Sequence, residues 1–248
     1  MGAHALIRKL EQFTQLTEDE KRLLGDATRD VRDYDRRQDV IREGDRPDHV
    51  HLMIEGWAAR YKLLPNGDQP IMAFLIAGDL CDVQVTLLDE MDHSIKAISP
   101  CRIAHLPRDL ISNILQEGGR LSQALWWATL LDEAILREWL VNQGHRQADE
   151  RVAHLLCEML LRAKAVGLTE DNSFELPVTQ EELGDTMGLS TVQINRTLQT
   201  LRHEGLVITT GRRLVVNDPD ALMAFAQFDP IYLHQVNKRA RLLRVGSS

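Results

Sequence analysis

Residues 179–216 read Thr179-Gln-Glu-Glu-Leu-Gly-Asp-Thr-Met-Gly-Leu-Ser190-Thr-Val-Gln-Ile-Asn-Arg196-Thr-Leu-Gln-Thr-Leu-Arg-His-Glu-Gly205, then Leu206-Val-Ile-Thr-Thr-Gly-Arg-Arg-Leu-Val-Val216. Thr179 and Glu182 stand three residues apart, as do Ser190 and Gln193. Each pair fits a capping box, in which a hydroxyl accepts a free N–H of the first turn and the longer side chain reaches back. Leu183 and Met187 follow the i, i+4 step of a buried stripe. Gly188 tolerates the left-handed backbone that ends a helix sharply, and Gly205 closes the second helix. Two short helices joined this tightly must cross steeply, and the strands expected on either side of Thr210-Gly211 add a wing. The stretch is a winged helix-turn-helix.

Projected at about 100° per residue, the second helix gathers Ile194, Thr197, Leu198 and Leu201 on its core side. Val192, Arg196, Gln199 and His203 fall opposite, with Asn195 on the flank. Arginine, asparagine and glutamine carry the forked groups that match guanine and adenine edges in the major groove, and a thymine methyl accepts an apolar contact. Arg196 is therefore expected to read a G and Val192 a T in double-stranded DNA. Thr179, Ser190, Thr191 and Gln193, at the two helix starts, complete the expected DNA-binding set. Arg212 and Arg213, beside the wing turn, are expected to reach phosphate, which positions without reading sequence.

The whole chain has 248 residues, room for two compact domains, and a formal net charge of −8. Duplex binding must then rely on a local patch and be sensitive to salt. Lys238, Arg239, Arg241 and Arg244 make the carboxy-terminal end basic. No apolar run reaches membrane-spanning length, and the amino terminus lacks the hydrophobic core of a secretory signal. Cys81, Cys101 and Cys157 are scattered, as suits a reducing cytoplasm. No Ser-His-Asp, phosphate-loop or dinucleotide fingerprint is present, so the chain is read as a non-enzyme without a cofactor.

Upstream, Leu6 to about Asp26 reads as an opening helical segment. Glycines then recur at Gly44, Gly56, Gly67 and Gly78 between short apolar runs, indicating a small antiparallel barrel or jelly roll. Arg120 to Gln143 is free of glycine and proline, between Gly118-Gly119 and Gly144. Leu121, Ala124, Ala128, Leu131 and Ile135 form a narrow coiled-coil-like seam along it. His145 to Arg151 reads as a hinge into a helix over Val152–Ala165. The expected fold class is α+β, divided as 1–118, 119–145 and 146–248.

The order of roll, long helix and winged helix resembles the Crp/Fnr (catabolite-activator) family of bacterial transcription regulators. Ile41-Arg-Glu-Gly-Asp, Ile54-Glu-Gly, Gly78-Asp-Leu and Leu189-Ser-Thr-Val-Gln-Ile-Asn-Arg-Thr-Leu carry the likeness. The resemblance implies a cyclic-nucleotide-binding-like roll and a homodimer joined along the long helix, with Leu125 added to the seam residues as the dimer interface. It implies a palindromic operator with half-sites about one helical turn apart. Activation would add RNA polymerase as a partner. Val192, Asn195 and Arg196 fall where the family's recognition helix meets bases, but family members commonly carry glutamate at the place of Val192, so a different operator is expected.

The family's roll often holds an effector, such as cyclic AMP, with a glycine-glutamate pair and a downstream arginine-serine pair on its phosphate. Alignment on Gly78-Asp79-Leu80 puts Asp82-Val83 and His93-Ser94 at those places. Gly78, Asp79, Asp82, Val83, His93 and Ser94 are the expected effector pocket. Its carboxylates, without a forked guanidinium, predict no tight binding of cyclic AMP. No cysteine precedes Cys81, so an iron–sulfur cluster of the kind some members carry is not expected.

A second reading belongs to a different class. His49-Val-His51-Leu-Met-Ile-Glu55 resembles the His-x-His-x-x-x-Glu signature of cupins, with Cys81 as a fourth ligand, which would make the roll a metal sensor or metal-dependent enzyme. Strand alternation separates the two readings. If Val50, Leu52 and Ile54 face inward, then His49, His51, Met53 and Glu55 face outward.

Overall fold

A computed structural model describes residues 3–235, so the basic run from Lys238 to Arg244 lies outside the described residues. Helices α1 (His4–Leu10) and α2 (Glu18–Ala27) stand where one opening segment is expected. Thr17 and Glu20 build a capping box, and that second start signal divides the segment.

The roll follows as β1 (Val31–Tyr34), β2 (Asp39–Ile41), β3 (His49–Glu55), β4 (Ala58–Tyr61), β5 (Ile71–Leu75), β6 (Ser94–Ala97) and β7 (Cys101–Pro107). They form two antiparallel sheets, in the orders β1-β7-β3 and β2-β6-β4-β5. Ile41, Val50, Leu52, Leu75, Ile95 and Ile103 share the core of this domain. β3 departs from the expected alternation. Val50 and Leu52 are buried, but so are His51 and Met53. A strand covered on both faces keeps no polar/apolar period, and His51 tolerates burial because Asp82 binds its ring.

Helix α3 (Arg108–Glu117) leads into α4 (Gly119–His145), which runs through Gly144 instead of ending there. Arg146, in extended backbone, breaks the chain before α5 (Ala148–Val166), which starts on a Gln147–Glu150 capping box. The expected dimer seam needs correction. Leu121, Ala124, Leu125, Ala128, Leu131 and Ile135 are all buried within the single chain, packed into its own two cores. α4 is apolar on more than one side, so its stripes leave open which side the chain itself covers. The side left in solvent carries Trp126, Leu130, Leu136, Leu140 and Val141.

The carboxy-terminal unit comprises β8 (Ser173–Glu175), α6 (Gln180–Met187), α7 (Thr191–His203), β9 (Val207–Thr210), β10 (Arg213–Val216) and α8 (Pro219–Phe225), then a 3-10 turn at Pro230–Leu233. β9 and β10 form an antiparallel hairpin, with β8 on the other edge of β10. α5, α6 and α7 enclose Leu155, Met159, Leu183, Met187, Ile194, Leu198 and Leu201. Among the described residues no helix is long and apolar enough to cross a membrane.

Candidate nucleic-acid interface

Both helix starts form as reciprocal caps. Thr179 Oγ1 accepts from the Glu182 N–H at 3.2 Å while the Thr179 N–H donates to Glu182 Oε2 at 2.7 Å. Ser190 and Gln193 repeat the exchange at 3.3 and 2.9 Å. Gly188 ends α6 in the left-handed conformation. Gly184, inside α6, explains how closely the turn folds back: a Cβ there would lie 2.6 Å from the Leu189 carbonyl oxygen. Only glycine permits that approach without a shift.

On α7, Ile194, Thr197, Leu198 and Leu201 are buried, and Thr191, Val192, Gln193, Asn195, Arg196, Gln199 and His203 are exposed. Val192 is 79% exposed although it is aliphatic. Two contacts not evident in the sequence hold this surface. Asn195 donates to Gln180 Oε1 at 3.3 Å, linking the two helices of the motif. Arg202 donates to Thr209 Oγ1 at 3.1 Å, tying α7 to the wing. Helical projection places Arg202 beside the outer face, but the tie to β9 depends on how the hairpin packs. Arg212 is exposed, whereas Arg213 turns back to Glu170, at 2.6 Å, and to Ser173. The two wing arginines therefore differ, and Arg213 has its charge already partnered.

The expected effector residues divide. A cavity of about 410 Å³ lies between the roll and α4, and Gly78, Val83 and His93 line it together with Arg60, Leu80 and Asp132. Asp79, Asp82 and Ser94 face elsewhere, which corrects half of the expected set. Asp79 sits between Lys9 and Arg162, whose positive charges hold its carboxyl down at about 2 against the cost of burial. Asp82 accepts from the His51 ring at 2.5 Å and from its backbone N–H at 2.7 Å. Ser94 Oγ accepts from the Glu43 N–H. Arg60, unmarked by any motif, is the guanidinium on the cavity wall, and Asp132 already holds it at 3.0 Å.

The metal reading finds no support. The His49 ring pairs with Asp48, His51 with Asp82, and Glu55 with Arg102. Among the described residues no group of three or more His, Cys, Asp or Glu side chains is placed to hold a metal. The orientation of His51 expected from strand phase is also overturned, since it is buried instead of solvated. Burial raises all three thiols, Cys157 to about 12, so little reactive thiolate forms near neutrality.

A nucleotide-domain-like roll carrying a winged helix-turn-helix defines a two-domain transcription regulator. Residues 31–117 match the model of the cyclic nucleotide-binding domain and residues 150–225 that of the Crp-like helix-turn-helix domain, together more than half of the chain. Similar proteins include the transcriptional activator protein FnrL of Cereibacter sphaeroides, 27% identical over 188 residues, which are 75% of each chain. The transcriptional activatory protein AadR of Rhodopseudomonas palustris is 28% identical over 196 residues, 78% of this chain and 80% of AadR. FixK2 from Bradyrhizobium japonicum has the same fold, with a TM-score of 0.71 at 23% identity, covering 79% of this chain and 96% of FixK2. The chain belongs to the Crp/Fnr family of transcription regulators.

Proposed function

We propose that the protein binds a palindromic operator as a homodimer in the cytoplasm, with the outer face of α7 in the major groove of each half-site. The observation that carries this is the exposed set Val192, Asn195, Arg196 and Gln199 on a helix whose opposite side is fully packed. An aliphatic side chain held 79% in solvent on that face gains a partner when a thymine methyl meets it. Thr179, Ser190, Thr191 and Gln193 lie at the two helix starts beside this face. Arg212 is the wing residue free to reach phosphate, and Arg213 contributes only by leaving Glu170.

The dimer face is the solvent side of α4. Trp126, Leu130, Leu136, Leu140 and Val141 give that side a largely apolar surface, interrupted by the exposed Glu133–Arg137 ion pair, the mixture that a second copy of the helix covers. The functional division remains 1–118 for sensing, 119–145 for pairing and 146–248 for DNA. Relatives named as activators favour contact with RNA polymerase once bound. Cyclic AMP is not a tight ligand, because Asp92, Asp132 and Glu133 line the cavity and Asp132 occupies Arg60, the one guanidinium among its described lining residues. Titration calorimetry is expected to show no saturable micromolar uptake; such uptake would remove this part of the reading.

Selection of bound duplexes from random oligonucleotides with the full chain tests the whole proposal. A two-fold-symmetric consensus is expected, with its half-sites about one helical turn apart. Recovery of unrelated sequences by a monomeric particle would defeat it.

A further inference from the structure

A continuous run of buried charges crosses the joint between the roll and the winged-helix domain. Lys9 Nζ lies 2.7 Å from Asp79 Oδ1, and Arg162 donates to Asp79 Oδ2 at 2.8 Å and to Glu158 Oε1 at 3.0 Å. Arg162 also reaches the Phe74 carbonyl at 2.8 Å, while Glu158 Oε2 accepts from Trp139 Nε1 at 2.9 Å and from the Tyr232 hydroxyl at 3.1 Å. One chain of contacts thus joins α1, the roll, α4, α5 and the 3-10 turn after α8.

α1 touches both sides of this joint. Arg8 donates to the Val166 carbonyl at 3.1 Å, at the end of α5. Its other side presses on the Gly78 turn, where a Cβ would lie 2.8 Å from the Ala5 carbonyl. At the outer rim, Arg36 pairs with Glu182 of α6 at 2.9 Å and donates to the Ile98 carbonyl. Apolar surfaces alone allow two bodies to slide. Buried ion pairs do not, because any displacement leaves a charge without its partner in a medium that solvates it poorly. In the arrangement they hold, the outer face of α7 is fully open.

We propose that α1 is an internal brace: through Lys9, Asp79, Arg162 and Glu158 it fixes the winged-helix domain on the roll in the orientation that sets the distance between the two reading helices of a dimer. This rests on the operator-binding reading above. The four side chains are positioning residues that act through α7 and touch no DNA. Their effect falls on the spacing between half-sites and leaves the bases read within each half-site unchanged.

The test measures affinity for the selected operator and for the same operator with one base pair inserted at its centre. Wild type is expected to disfavour the longer spacing by a factor within the roughly 5- to 150-fold typical of coupled sites. Lys9→Met should bring the two affinities together while keeping the base preference and the dimer mass, and Lys9→Arg should restore the discrimination. If Lys9→Met fails to fold, Arg36→Gln loosens the same joint from the rim, where the arginine side chain is 30% exposed, and the same convergence is expected at smaller size. A folded variant that keeps the wild-type discrimination overturns the brace. An equal loss of affinity at both spacings also overturns it, because that is the signature of general destabilisation. A wild type that selects no duplex removes the operator reading, and the brace with it.

Discussion

Two helices of this molecule present opposite chemistry to solvent. The open side of α7 carries Asn195, Arg196, Gln199 and His203 with a single exposed aliphatic residue, Val192. The open side of α4 carries Trp126, Leu130, Leu136, Leu140 and Val141, with one exposed ion pair, Glu133–Arg137, among them. A polar face keeps its hydration until a partner offers matching donors and acceptors, which suits base edges and gives specificity. An apolar face gains by leaving water altogether, which suits a second copy of itself and gives avidity. Under the proposed function, recognition falls to one helix and doubling to the other, and each part of that proposal can be broken separately.

The largest effect is expected at α4. Replacing Leu130 and Leu140 together by glutamate should separate the dimer and lower affinity for the full palindrome by roughly 10²- to 10⁴-fold, the usual gain from linked binding. Affinity for a single half-site should change little. Sedimentation together with anisotropy on both duplexes checks this, and a variant that stays dimeric places the interface elsewhere.

The junction of α4 with α5 supplies the next effect, through pH. His154 is fully buried where α4 meets α5. Asn142 donates to its Nδ1 at 3.0 Å, and its Nε2 comes within 3.3 Å of Glu138 without forming a hydrogen bond. Despite that carboxylate, burial and the nearby Arg146 charge lower its pKa to about 3. Burial and the neighbouring His51 lower His105 to about 4. Both rings are neutral in the fold, whereas the unfolded chain protonates them below about pH 6.5, so stability falls as pH drops through the window from 6.5 toward 4. At pH 5 the loss is about 2 kcal/mol per histidine. Asp79 acts in the same sense at lower pH: its contribution is complete above about 3.8 and is lost as pH falls toward about 2. Urea midpoints at pH 7 and pH 5 measure the loss; equal midpoints would mean that the rings carry protons inside the fold.

Smaller effects sharpen the α7 side. Arg196→Ala should weaken specific binding by about 1–3 kcal/mol and relax the preference at one base pair, with the rest of the half-site unchanged. Retention of that preference would remove Arg196 as a reader. Val192→Glu should alter the selected base at one position, while its exposed site keeps the stability change within about 0.5 kcal/mol. An unaltered consensus would show that Val192 reads nothing.

The two helices also differ in how far their sequences could be read. Along α7 only one side is apolar, so Ile194, Thr197, Leu198 and Leu201 had to face inward, and the structure buries all four. Along α4 apolar residues occur on several sides, and the stripe Leu121, Ala124, Ala128, Leu131 and Ile135 is regular enough to suggest a coiled coil. It packs inside its own chain because the roll and α5 reach it first. The effector residues failed in part for a related reason. Motif spacing places Asp79 and Asp82 beside the cavity, but their nearest cations and donors, Lys9, Arg162 and His51, lie far away in sequence.

The local code of this chain settled its helix starts, its glycine turns and the outward face of α7, because capping and helical periodicity act between residues three or four apart. Tertiary structure alone decided which side of α4 remains in water, where the buried carboxylates find their countercharges, and how the winged helix is fastened to the roll. Those outcomes depend on groups 31 to 83 residues apart meeting at hydrogen-bond distance. No pattern in a short window can encode such a meeting.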